Sequence, residues 1–140
     1  MKRVTLDSNI YISALVFGGK PKRVLEMAIE GRVEIAISDA IIEEVRRHLP
    51  AKFGWSDERT TEAVESINEY AVHVTPSLQI DAVPADPDDN RVLECAVEAA
   101  SDVIVSGDLD LVRIGSYAGI PIQTVSEFLQ AFERQFEDAE

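Results

Sequence analysis

Cysteine is nearly absent from this chain. Cys95 is the only one in 140 residues, so no internal disulfide can form and a reducing compartment is the default. Long apolar runs are missing too. Nothing approaches the roughly 20 apolar residues of a membrane helix, and Asp7 and Asn9 break the opening run before a signal peptide could form. Basic residues are scarce: 13 Lys and Arg stand against 26 Asp and Glu, for a net charge of −13. That balance argues against a generic polyphosphate binder. Several catalytic signatures are also absent. Gly18-Gly19-Lys20 lacks the rest of a phosphate-loop pattern, Gly107 stands alone, and no nucleophile elbow for a serine hydrolase is present. His48 and His73 have no partner at metal-ligand spacing, and Cys95 has no histidine arranged beside it.

What is present describes an ordinary folded chain. A hydrophobic fraction of 46% with 28% charged residues excludes disorder and fibrous repeats. The expectation is one soluble, cytoplasmic domain spanning residues 1–140, burying roughly two thirds of its unfolded surface. Charge is uneven along it: residues 1–59 hold ten Lys or Arg against nine acids, and residues 60–140 hold three against 17. Such blocks mark either surfaces with different partners or a solvated acidic face.

Strand and helix patterns alternate. Arg3–Leu6, Val33–Ile37, Ala71–Val74, Val103–Val105 and Ile120–Gln123 read as strands. Helices are expected over Asn9–Phe17, Lys22–Glu30, Ser38 to Pro50 (where proline should end it), Asp57–Tyr70 capped by Ser56, Asp89–Ala100 and Ser126–Phe136. Strands separated by helices need crossover connections, which predicts an α/β fold with a mostly parallel sheet covered on both faces.

In such a sheet ligands bind outside the carboxyl ends of the strands, and acids gather there. Asp7 follows the first strand, Glu44 lies in the second turn of the helix after the second, and Asp108 and Asp110 follow Val103–Val105. Asp89 shares a helix stripe with Val92, Leu93, Ala96 and Ala100, so it faces inward while Asp88 does not. Each acid has a plainer use. Asp7 and Asp89 could cap helices, Asp108 and Asp110 could form a polar turn, and helix geometry does not choose between Glu43 and Glu44. Taken singly these uses suffice, but they leave the gathering unexplained. Clustered carboxylates raise one another's pKa unless a cation compensates, and an all-oxygen donor set suits Mg²⁺ or Mn²⁺.

The ordered motifs resemble those of PIN-domain nucleases. Val4-Thr5-Leu6-Asp7-Ser8-Asn9-Ile10 resembles the family's opening, and Ser38-x-x-Ile41-x-x-Glu44-Val45 its second acidic motif. Asp86-Pro87-Asp88-Asp89-Asn90 resembles the third, and Val103-Ile104-Val105-Ser106-Gly107-Asp108-x-Asp110 the fourth. Gly119-Ile120-Pro121-Ile122 and Glu127-Phe128-Leu129 complete a pattern covering nearly the whole chain. The branch it most resembles holds toxin components of toxin–antitoxin pairs, related to the VapC toxins. The resemblance implies a three-layer α/β/α sandwich with Asp7, Glu44, Asp89 and Asp108 as an acidic quartet and Asp110 as a fifth metal ligand. It also selects Glu44 over Glu43. Ser8 and Ser106 keep the hydroxyl where many relatives have Thr, and Asn9 would support Asp7 or the adjacent turn.

The function expected is metal-dependent hydrolysis of RNA by an activated water, leaving 5′-phosphate and 3′-hydroxyl ends. Substrate contacts would fall to the basic cluster Lys20, Lys22, Arg23, Arg46, Arg47 and Lys52. The rival reading is a non-cleaving RNA- or metal-binding module of the same fold. A phosphatase ranks lower, because Asp7-Ser8-Asn9 lacks a second carboxylate two residues on. The resemblance further implies a homodimer and a small antitoxin partner. Phe53, Trp55, Tyr70 and Phe136 are either anchors for such contacts or core residues, and the acidic run Glu133–Glu140 reads as a solvated helix end.

Overall fold

Short aliphatic runs build the sheet. The structure, a computed structural model, describes residues 1–83 and 86–139, with side chains to residue 134. Strands β1 (Arg3–Leu6), β2 (Glu34–Ile37), β3 (Ala71–His73), β4 (Val103–Val105), β5 (Ser116–Tyr117) and β6 (Ile120–Gln123) form one six-stranded sheet in the order β3-β2-β1-β4-β6-β5. All neighbours are parallel except β5, which pairs antiparallel with β6. The helices are α1 (Ser8–Val16), α2 (Gly19–Ile29), α3 (Asp39–Phe53), α4 (Asp57–Tyr70), α5 (Pro87–Glu98), α6 (Leu109–Val112) and α7 (Val125–Ala139). Together they make the expected three-layer α/β/α sandwich. Among the described residues no helix is long and apolar enough to cross a membrane.

Side-chain alternation divides the core between the two faces. In β4, Val103 and Val105 join the larger apolar cluster with Tyr11, Met27 and Phe128. Ile104 between them joins the smaller one with Leu93, Leu111 and Ile122. The central strands β2, β1 and β4, buried on both faces, thus need cover on both sides, which the crossover helices supply.

The strand order reverses between β1 and β4, and a crevice opens at the carboxyl ends of strands at such a point. Leu6 lies level with Val105 across that pair, and the Asp7 N–H donates to the Val105 carbonyl at 2.9 Å. Asp7 and the residue after Val105, Ser106, therefore leave the sheet side by side.

Three expectations need correction. Helix α3 does not stop at Pro50 but runs on to Phe53. Leu49 is fully buried, and the N–H groups of Gly54 and Trp55 take the Pro50 and Leu49 carbonyls with Gly54 left-handed at φ 67°, so the end is set by packing and this cap. Helix α5 starts at Pro87 rather than Asp89: Asp86 is its cap, its side chain accepting the Asp88 N–H at 3.1 Å, and proline suits the first helical position. Helix α2 begins at Gly19 instead of Lys22, with Pro21 inside the first turn where its missing N–H costs nothing. Helix α6 and strand β5 were not foreseen.

Candidate active site

Four elements deliver acids to the mouth of the β1–β4 crevice. Asp7 stands at the N-cap position of α1 but makes no capping hydrogen bond of regular geometry. Its carboxylate instead accepts the Ser106 hydroxyl on Oδ2 at 2.7 Å and the Ser8 hydroxyl on Oδ1 at 3.3 Å. Ser106 in turn accepts the Asp108 backbone N–H at 2.9 Å, and Asp108 caps α6 through the Asp110 N–H at 2.8 Å. Both hydroxyls thus bear on the Asp7 carboxylate. Asn9 is exposed, and its side chain makes no hydrogen bond among the described residues.

Asp89 sits in the first turn of α5, facing inward as its stripe predicts, and only 3% of it is exposed. Its Oδ2 is buried without a hydrogen-bond partner. One carboxylate oxygen each from Asp86, Asp89 and Asp108 lie within 4.8 Å of one another. The sequence motifs assign Asp86 no role, although it opens the third of them. The signal that could have found it is its spacing, one helical turn before Asp89 and so on the same face.

Electrostatics tie the remaining acids to this cluster. Burial pushes the Asp89 carboxyl up to about 8, and Asp108, Asp86 and Asp7 add repulsion. Asp7 is raised by burial despite the Ser106 hydroxyl, with Asp108 repelling it. Glu44, buried on α3, is raised by burial, while the Ser8 hydroxyl favours its charged form and Asp88 and Asp7 oppose it. Three acids held above their ordinary range, one of them with an unpartnered buried oxygen, make a site that a divalent cation would relieve. The donors are all carboxylate oxygens, which fits a hard cation. Asp110 stands apart: exposed, it lies 3.8 Å from Arg113 and contributes its N–H to the Asp108 cap.

A family model described as "PIN domain" matches residues 3–110, a span that contains every acid of the site. The chain belongs to the PIN-domain family. PIN domains are generally nucleases and typically use divalent metals, in keeping with the donors gathered here. No curated protein matches this sequence. Among solved structures, the crystal structure of VapBC2 from Rickettsia felis bound to a DNA fragment from their promoter matches with a TM-score of 0.62. The identity is 15%, over 87% of this chain and 98% of that one, so the likeness concerns the PIN fold.

The basic residues divide between two helices of this PIN domain. Lys20, Lys22 and Arg23 lie on α2, where Lys20 reaches Ser126 at 3.1 Å and Arg23 pairs with Glu30 at 3.0 Å. Arg46, Arg47 and Lys52 lie on α3, with Arg46 at 3.6 Å from Glu43 and Lys52 exposed. Arg47 is placed at the site itself, 3.7 Å from Asp88 across the gap between α3 and α5. Of the aromatic residues, Phe53 packs edge-on against exposed Phe17, Arg59 covers Trp55, and Tyr70 borders the core. The Phe136 side chain lies outside the described residues.

Proposed function

We propose that this chain, a single domain over residues 1–140, is a metal-dependent endoribonuclease and the VapC-like toxin component of a type II toxin–antitoxin pair. The observation that carries the reading is the buried, unpartnered Asp89 Oδ2 among the convergent oxygens of Asp86, Asp89 and Asp108. Asp86, Asp89 and Asp108 would hold one or two Mg²⁺ or Mn²⁺ ions, with Asp7 and Glu44 beside them. Bound there, the cation supplies charge stabilisation at the scissile phosphate and a more acidic water. Ser106 and Ser8 keep the Asp7 carboxylate in one orientation, so it need not reorganise when substrate arrives. Attack of water on phosphorus breaks the bond to the 3′ oxygen, leaving 5′-phosphate and 3′-hydroxyl ends. Arg47 is the cation best placed to meet the RNA backbone beside the acids, with Lys20, Lys22, Arg23, Arg46 and Lys52 farther along. An antitoxin would supply a cationic group to the acidic crevice, and the toxin would act in the cytoplasm as a homodimer. Kinship of fold with VapBC2, a toxin–antitoxin complex, supports that partnership.

Cleavage of a mixed single-stranded and structured RNA pool tests the activity, with Mn²⁺, Mg²⁺ or chelator and an Asp7→Asn, Asp89→Asn control. Metal-dependent cutting that the control lacks, with 5′-phosphate ends, is expected; 2′,3′-cyclic phosphate ends would overturn the mechanism. One observation favours the rival non-cleaving module: Arg23, Arg46 and Arg47 already face acids, and the chain's net charge is −13. Metal binding without cutting of any RNA in the pool would select it.

A further inference from the structure

The segment leading into α5 is tied to that helix by a ladder of side chains. Asn90, Glu94 and Glu98 stand one turn apart on α5 and accept backbone N–H groups from the passing chain. Asn90 Oδ1 takes those of Ala82 and Val83 at 2.9 and 2.8 Å. Glu94 takes that of Ile80 and Glu98 that of Ser77, each at 2.8 Å.

Asn90 differs from the other two rungs because it also donates. Its Nδ2 bonds the Val83 carbonyl at 2.9 Å, and the same carbonyl accepts the Asp86 N–H at 3.3 Å. The Asp86 carbonyl then accepts the Asp89 N–H at 3.1 Å. Hydrogen bonds thus run from the buried Asn90 amide to the backbone of Asp86, whose carboxylate converges with those of Asp89 and Asp108. Glu94 and Glu98 hold the chain farther away and make no bond to Val83 or Asp86.

We propose that Asn90 is a positioning residue for the acidic cluster, setting where Asp86 stands relative to Asp89 and Asp108; this rests on the metal-binding reading above. The residue type follows from the geometry. Two N–H groups need an acceptor and one carbonyl needs a donor, and a side-chain amide supplies both. Aspartate at this position would lose the donor and add charge beside acids already crowded. Alanine would leave two strap N–H groups without their acceptor and free Asp86 to drift from the cluster.

Mn²⁺ titration of the full chain, followed by the electron paramagnetic resonance signal of the free ion well below each variant's melting temperature, tests the assignment. Asn90→Ala is expected to weaken Mn²⁺ binding by about 10- to 100-fold, the usual effect of losing a group that orients a ligand. Glu98→Ala, which loosens the same ladder at exposed Ser77, is expected to bind Mn²⁺ as the wild type does. Should Asn90→Ala lose its helical circular dichroism, Asn90→Ser takes its place, being polar but too short to span both contacts. Unchanged binding in the Asn90 variant, or an equal loss in Glu98→Ala, overturns the positioning role while leaving the metal site standing. A wild type that binds no Mn²⁺ overturns both.

Discussion

Ser106 holds Asp7: its hydroxyl donates to Asp7 Oδ2 at 2.7 Å while accepting the Asp108 N–H at 2.9 Å. One hydroxyl therefore links the acid after β1 to the acid after β4 and locks the spacing of the two. Ser106→Ala should lower cleavage and Mn²⁺ affinity by roughly 10- to 100-fold and cost about 1–3 kcal/mol of stability, since the Asp7 oxygen loses its donor while buried. Ser106→Thr should restore both. Parallel titration and thermal melting check this, and an alanine variant with full activity would refute it.

Stability should depend on pH with an unusual sign. Asp89 titrates at about 8 in the fold against an ordinary 3.8, so between those values the folded state binds more protons than the unfolded one. Without added metal, stability then falls as pH rises from about 4 to about 8, and Asp7 and Glu44, also raised, act in the same direction. Mn²⁺ must displace protons to bind, so it should stabilise more at pH 8 than at pH 6. Asp89→Asn should flatten the decline. Melting curves across this range, with and without Mn²⁺, decide it.

The Arg47–Asp88 pair predicts a separation of binding from stability. Both side chains are more than half exposed, so breaking the pair should change stability by less than about 1 kcal/mol. Arg47→Glu should nevertheless weaken RNA binding and reduce its dependence on salt by about one released counterion. Binding measured over a range of KCl concentrations tests this; an unchanged slope would mean that Arg47 only faces solvent.

The β5–β6 hairpin offers a change that should stabilise the protein. Its two turn residues, Ala118 and Gly119, have φ of 51° and 80°, and alanine is strained in that region. Ala118→Asn should raise stability by about 1 kcal/mol, with no effect on Mn²⁺ affinity. A lower melting temperature would contradict the assigned turn.

This hairpin also shows why some of the fold was hard to read. Two-residue turns announce themselves through Asn-Gly or Asp-Gly, and Ala118-Gly119 carries only half of that signal. Pro50 misled in the opposite direction: a local rule ended α3 there, but buried Leu49 and the left-handed Gly54 carry it one turn farther. Local preferences are worth about a kilocalorie or a few per residue, and tertiary burial of a large side chain can match that.

Sequence periodicity alone determined the five parallel strands, the inward face of Asp89 and the gathering of acids at one sheet edge. These follow from repeats of two and 3.6 residues along a single chain. Only the tertiary structure decided which groups meet. It set Asp86 and Asp89 against Asp108, turned Asp110 toward solvent, and joined Asn90 to Asp86 through the Val83 carbonyl. Such meetings depend on strand register, helix entry and loop path. Those are set by packing between distant segments, and no spacing along the chain encodes them.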